Sequence, residues 1–263
     1  MVVHQNEEFE YGYNSITELD GKHSDMELDV GIIRVRDGLV YENKESKERA
    51  ILLIEGEVTF EWAGEKETVK RESCFDENPV CLHLPKDEKV TITGLAESEL
   101  CYEAVYNDNA FEAKLYKQED CVSDVFGKDV MDNTSMRTVR TIIDDDIAPY
   151  SNLVIGEVIN HPGKWSSYPP HYHIQPEVYH YRFLPETGFG VSVIGEEAYK
   201  VHHKSTSCIT SDVVHPQCSA PGYAMYYVWM IPHIKVKRWL KDRTFESKHE
   251  WLLDENAEVW SQK

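Results

Sequence analysis

The chain has 263 residues, 41% of them hydrophobic and 28% charged, enough for a sizeable core in one large domain or two small ones. Its formal charge of −20 makes nucleic acid and anionic membrane surfaces poor partners, so an anionic substrate has to be met by local positive charge. No stretch approaches the ~18–20 apolar residues of a membrane span, and the start MVVHQNEEFEYGYN is too acidic for a signal peptide. The six cysteines form no C-x-x-C pair, so free thiols in the cytoplasm are expected.

Residues 1–25 read as a polar lead-in suited to an edge strand. Strand signals begin at LDVGIIRVRDG (28–38). RAILLIEGEVTFEW (49–62) is a buried run, a turn at Glu55-Gly56, then alternation through Val58, Phe60 and Trp62. KETVKRESCFDENP (66–79), VCLHLPKDEKVTITGL (80–95) and ELCYEAVYN (99–107) continue the rhythm. Residues 108–136 turn polar and mixed, the signature of a linker with little structure of its own. Strands resume at SMRTVRTIID (135–144), NLVIGEVINHPG (152–163), VYHYRF (178–183), FGVSVIG (189–195), EAYKVHH (197–203) and MYYVWMIP (225–232). The tail, 237–260, is expected to hold a short helix or docking arm whose Trp239, Trp251 and Trp260 cover apolar surface. Short strands, frequent turns and no amphipathic helix predict an all-β chain of two similar sandwich or barrel halves: 1–110, a linker at 111–136, and 137–263.

The chemistry concentrates in HPGKWSSYPPHYHIQPEVYHYRFLPETGFG (161–190), where His171, His173 and Glu177 fall within seven residues, and in DVVHPQCSAPGYAMYY, which carries His215. Three imidazoles and a carboxylate are a recurrent donor set for one divalent transition metal, and zinc, manganese, iron and nickel all accept it. On a strand, i and i+2 share a face, so His171 and His173 project together. The same parity puts Glu177, Tyr179, Tyr181 and Phe183 inside, and Val178, His180 and Arg182 on the other face. His202 and His203 are adjacent and make a poor chelate; His161, His233 and His249 have no partner at useful spacing. Those histidines are expected to be structural, and Cys218 is a minor ligand candidate beside His215.

H-x-H-x3-E with a later hairpin histidine resembles the metal motifs of the cupin superfamily. GEVINHPGKWSSYPPHYH, EVYHYRF, GFG and DVVHPQCSAPGYAMYY are similar to the 5-deoxy-glucuronate isomerases of inositol catabolism, and more distantly to the 4-deoxy-5-keto-uronate isomerases of pectin breakdown. The likeness covers most of residues 30–240. It implies two tandem cupin (double-stranded β-helix, or jelly-roll) barrels. The one metal site, held by His171, His173, Glu177 and His215, would lie in the C-terminal barrel; His83 stands alone in the first. It also implies aldose–ketose isomerisation of a small sugar acid. Within that chemistry Tyr179, Tyr181 and Glu157 are the candidate proton-transfer groups, each equally readable as an ordinary structural residue. Arg182, Lys164 and Tyr223 are the candidate substrate-binding groups. Enediol and hydride-shift routes stay open. The competing readings are an iron cupin dioxygenase and a non-catalytic sugar-binding cupin. A homo-oligomer is compatible with the arms at both ends. The sequence departs from the inositol-pathway pattern at 174–176, 180–181 and 192–193, on pocket-facing strands.

Overall fold

The apolar run near residue 50 forms one strand, Glu48–Trp62, that serves both walls of a first barrel. In the computed structural model, which describes residues 1–254 and 257–260, its first part pairs with Val80–Leu84 and Ser98–Val105. Its second part pairs with Glu65–Arg71 and Val90–Gly94. The turn expected at Glu55-Gly56 is therefore a bend within a continuous strand. Register shifts between Leu53 and Glu55, and Gly56 takes φ 112° with Ser98 Oγ only 2.2 Å from where a Cβ would stand. Only glycine supplies that conformation without strain. Asp29–Val35 and Gly12–Thr17 extend one wall, and Val40–Asn43 extends the other.

The second barrel faces a seven-stranded sheet against a four-stranded one. The larger runs Val2–Val3, Thr206–Ile209, Glu177–Leu184, Ala224–Pro232, Leu153–Asn160, Arg137–Ile143, Asp124–Phe126. The smaller runs Trp165–Ser166, Gln217–Ser219, Phe189–Ile194, Glu197–His202. The lead-in thus contributes edge strands to both barrels, since Val2–Val3 crosses over to pair with Thr206–Ile209. The stretch 111–136 also differs from expectation. Lys114–Tyr116 pairs with the first barrel and Asp124–Phe126 with the second. Such three-residue edge strands sit below what alternation can signal.

Three apolar cores result. Phe60, Leu82, Ile92 and Leu100 help fill the first barrel. Tyr181, Phe183, Met225 and Ile231 pack inside the second. The third lies between the barrels, where Ile32, Leu52 and Cys101 meet Leu153, Ile155, Val228 and Met230. Strands at this junction are buried on both faces, so they read as near-continuous apolar runs. All six cysteines are free. No helix among the described residues is long and apolar enough to cross a membrane.

The tail forms a short strand, Thr244–Phe245, and a 3-10 helix, Ser247–Leu253. Trp239 packs on Trp229 at 5.6 Å between ring centroids, as expected of a covering residue. Trp251 and Trp260 are instead largely exposed, at 52% and 84%. Glu255 and Asn256 of that tail, and 261–263, lie outside the described residues.

Candidate metal centre

Strand parity on Glu177–Leu184 holds in three dimensions. Tyr179, Tyr181 and Phe183 pack in the second barrel's core, whereas Val178 packs between the barrels. Pairing with Thr206–Ile209 on one side and Ala224–Pro232 on the other holds Glu177 at the strand's start. His215 arrives from the loop before Gln217–Ser219, pinned by its Nδ1–H donating to Val213 O at 2.7 Å. The donor atoms of His173, Glu177 and His215 all lie within 4.8 Å of one another. His171 stands beside them, outside that group, its ring 5.4 Å from His215. The two histidines of H-x-H are not successive residues of one strand: only His171–Tyr172 is extended, in a two-stranded ribbon with Thr244–Phe245.

The protonation pattern bears on what these residues can hold. His171 Nδ1 donates to Pro169 O (2.9 Å) and His173 Nδ1 to Gln175 O (3.0 Å), as His215 does to Val213. A carbonyl only accepts, so each Nδ1 carries the proton and each neutral ring keeps its lone pair on Nε2. Nε2 of His173 and of His215 each lie 3.2 Å from Glu177 Oε2. Lone pairs facing a carboxylate call for positive charge between them, either protons or a metal ion. Burial pushes Glu177 up, but the His173 and His215 contacts outweigh it and hold the carboxyl at about 2. Burial, reinforced by His215, pushes His171 down to about 3, so it stays a neutral donor. Imidazoles anchored through Nδ1 on backbone carbonyls, with Nε2 turned towards an ionised carboxylate, fit a divalent transition metal.

The site opens into a cavity of about 310 Å3, within the range of small-molecule sites. Tyr179, Tyr227, Trp229, Ile231 and Trp239 supply much of its wall. Tyr179 Oη lies 3.3 Å from Ser167 Oγ. Burial, then the Glu177 charge, push this phenol far up, so it is held protonated.

Several residues singled out in the sequence are elsewhere. Glu157 does not reach the cavity. It shares the strand Leu153–Asn160 with cavity-lining Val158 but faces the other way, and is buried between Arg71 (2.6 and 2.8 Å), Arg140 (3.3 Å) and Tyr226 Oη (2.7 Å). Arg182 is likewise turned to the barrel junction, paired with Glu99 and 3.1 Å from His203 Nε2. Tyr181 points inward but lies behind the site, its hydroxyl donating to Gln217 Oε1 at 2.7 Å and within 2.9 Å of Ser207 Oγ. Lys164 and Tyr223 do not line the cavity. Lys164 closes the turn from His161, and Tyr223 packs its ring near Phe189. Cys218 lies outside the donor group, its thiol directed at Ser219 O. Of the histidines left aside, His83 binds Glu48, His161 meets Thr138, and His233 accepts from Trp239 N.

The cations that do reach the cavity are Arg137, Lys241 and Arg243. Sequence reasoning missed them because none lies near the motif. Arg137 begins the strand after the linker, and Lys241 and Arg243 sit in the tail. The one available signal was a run of basic residues, 235–243, in an otherwise acidic chain.

Comparison with known proteins agrees with this architecture. The sequence matches the KduI/IolB family over residues 2–252. It is 27% identical to the 5-deoxy-glucuronate isomerase of Bacillus licheniformis over 276 residues, covering 95% of this chain and 97% of that one. An IolB-like protein from Salmonella typhimurium LT2 superposes with a TM-score of 0.85 at 20% identity, over 96% of this chain and 99% of that one. A cupin 2 conserved barrel domain protein from Leptotrichia buccalis superposes at 0.54 with 10% identity, over 88% and 96%. The fold is therefore the tandem cupin barrel, and by a match spanning nearly its whole length the chain belongs to the KduI/IolB family.

Proposed function

We propose that this chain is a metal-dependent ketol-isomerase converting 5-deoxy-D-glucuronate to 5-dehydro-2-deoxy-D-gluconate, a step of myo-inositol catabolism. Family membership carries the reading, and the name of the Bacillus relative supports the deoxy-uronate as substrate class. His171, His173, Glu177 and His215 are the proposed ligands of one zinc, manganese, iron or nickel ion. The convergence of Nε2 lone pairs on a buried carboxylate supports that assignment. When bound, such an ion supplies Lewis-acid stabilisation of the negative charge that develops on substrate oxygen.

The chain's own groups supply the rest. The carbonyls of Pro169, Gln175 and Val213 orient the three imidazoles in advance, so they need no reorganisation during the reaction. Trp229 and Trp239 wall the cavity and limit water around a reactive carbanion-like carbon. Isomerisation moves one proton between neighbouring carbons. To Tyr179 Oη, the protonated phenol on the ligand strand that lines the cavity beside Ser167, we assign the donation of a hydrogen bond to the substrate oxygen on which charge develops during that transfer.

The test is anaerobic incubation of the metal-loaded protein with 5-deoxy-D-glucuronate, following keto-acid formation, with metal content measured by mass spectrometry. Turnover without oxygen is expected, which an oxygen-consuming dioxygenase would not give. No turnover of this acid but conversion of 4-deoxy-5-keto-uronate would move the chain to the second reading, favoured by the three-residue spacing between His173 and Glu177. A protein that turns over equally well without metal would refute the metal assignment.

A further inference from the structure

We propose that Arg243, with Arg137 opposite, forms a carboxylate-binding subsite that selects sugar acids over neutral sugars. The identity of the sugar rests on the proposed function; the anion chemistry of the subsite does not.

Arg243 is not a free tail residue. It immediately precedes Thr244–Phe245, whose register with the ligand loop is fixed as Tyr172 to Thr244 and His171 to Phe245. Glu246 N donates to Pro170 O at 2.9 Å, and the Phe245 ring stands edge-on to His171 at 5.7 Å. On the other side the segment is anchored by Arg238, which bonds Asp145 at 2.6 Å and Ser151 O at 2.9 Å. The strap between these anchors holds Arg243 on the wall of the same cavity as His171, His173, Glu177 and His215.

Arg137 enters that cavity from the strand Arg137–Ile143, its Nη1 donating to Ser135 O at 2.8 Å and its guanidinium 5.7 Å from the Phe126 ring. Burial lowers its pKa and the nearby charge of Arg243 lowers it further, so the two guanidiniums sense one another. Neither has a carboxylate at ion-pair distance among the described residues. Asp124 lines the same mouth without reaching either. Of the seven other arginines, Arg36 and Arg49 also lack such a carboxylate among the described residues, but neither lines this cavity. Arg71 and Arg140 share Glu157, Arg182 takes Glu99, and Arg238 takes Asp145. Lys241, the third cavity cation, is spent on Asp144 and Asp146 at 2.9 and 2.6 Å.

Two like charges left without a counter-ion beside an apolar wall fit a site whose counter-ion is the ligand. The forked, planar donors of arginine match a carboxylate better than a lysine would. Arg243 is exposed, so replacing it does not disturb a core.

The experiment is calorimetric titration of D-glucuronate, and of D-glucose as the same ring lacking the carboxylate, into the wild type and the Arg243→Gln, Arg243→Lys and Arg137→Gln variants. The wild type is expected to prefer the acid. Arg243→Gln and Arg137→Gln should each lose about ten- to a hundredfold in acid affinity, the worth of one charged hydrogen bond, with the neutral sugar unchanged. Arg243→Lys should recover part of the loss. In turnover the loss should fall on KM more than on kcat. Unchanged acid affinity in both Gln variants, equal loss for acid and neutral sugar, or no acid preference in the wild type would overturn the subsite. Retained acid preference in a protein that fails to isomerise either deoxy-uronate would instead overturn the proposed reaction and leave the subsite standing.

Discussion

Replacing Glu157 by alanine separates two roles that the sequence could not distinguish. If Glu157 were a proton-transfer group, its loss would abolish turnover and leave the fold alone. The structure makes the opposite demand. The carboxylate is fully buried and receives two hydrogen bonds from Arg71, one from Arg140 and one from Tyr226. Arg71 is itself wholly buried, and its further polar partners are the carbonyls of Leu53 and Glu77. Alanine leaves that guanidinium without its counter-charge at the junction of the two barrels. Breaking a buried pair from one side costs about 3–5 kcal/mol. At about 2–4 °C per kcal/mol for a chain of this size, the melting temperature should fall by roughly 10 °C. The assay is thermal unfolding alongside kcat at a temperature where the variant is still folded. An unchanged melting temperature together with a thousandfold or greater loss of kcat would refute this assignment and return Glu157 to the active site.

Removing the metal with a chelator should lower stability by about 2.7 kcal/mol if the free ion had stood at a hundred times its dissociation constant, and Glu177→Gln should show little further response to chelation. Acid should destabilise the fold in two stages, followed by denaturant midpoints against pH. Burial, then Arg182, depress His203 to about 4 from 6.5, so the unfolded chain takes up that proton first and stability drops as pH falls from about 6.5 through 4. Glu99, pushed up by burial but held down to about 2 by Arg182 and Lys204, contributes stability above its ordinary value near 4.5, which is lost as pH falls through 2. A midpoint flat from pH 7 to 4 would contradict the first stage. Gly56→Ala should cost more than about 1 kcal/mol in urea unfolding, because it combines positive φ with a clash on Ser98; a neutral result would mean the bend relaxes freely.

Much of the site was legible because it is local. His173 and Glu177 are four residues apart, and period-two parity correctly sent Tyr179 and Tyr181 inward and His180 and Arg182 to the other face. Parity could not say what that other face meets. In an isolated barrel it would be solvent; here it is a second core, which is why Arg182 and Glu157 look like active-site charges in the sequence and prove to be buried ion pairs. Nor could parity tell Tyr179, which lines the cavity beside Ser167, from Tyr181, whose hydroxyl is satisfied behind it.

By itself, then, the sequence determined the all-β class, the barrel rhythm and the candidate donor residues, since alternation and motif spacing act over a few residues. Only the tertiary structure decided which distant segments close the site. The edge strand Asp124–Phe126 and the strap carrying Trp239, Lys241 and Arg243 owe their places to pairing with Arg137–Ile143 and His171–Tyr172. Short strands of this kind carry almost no periodic signal, and their partners lie up to about 70 residues away along the chain, so the cavity's positive charge emerges only once the barrel has closed.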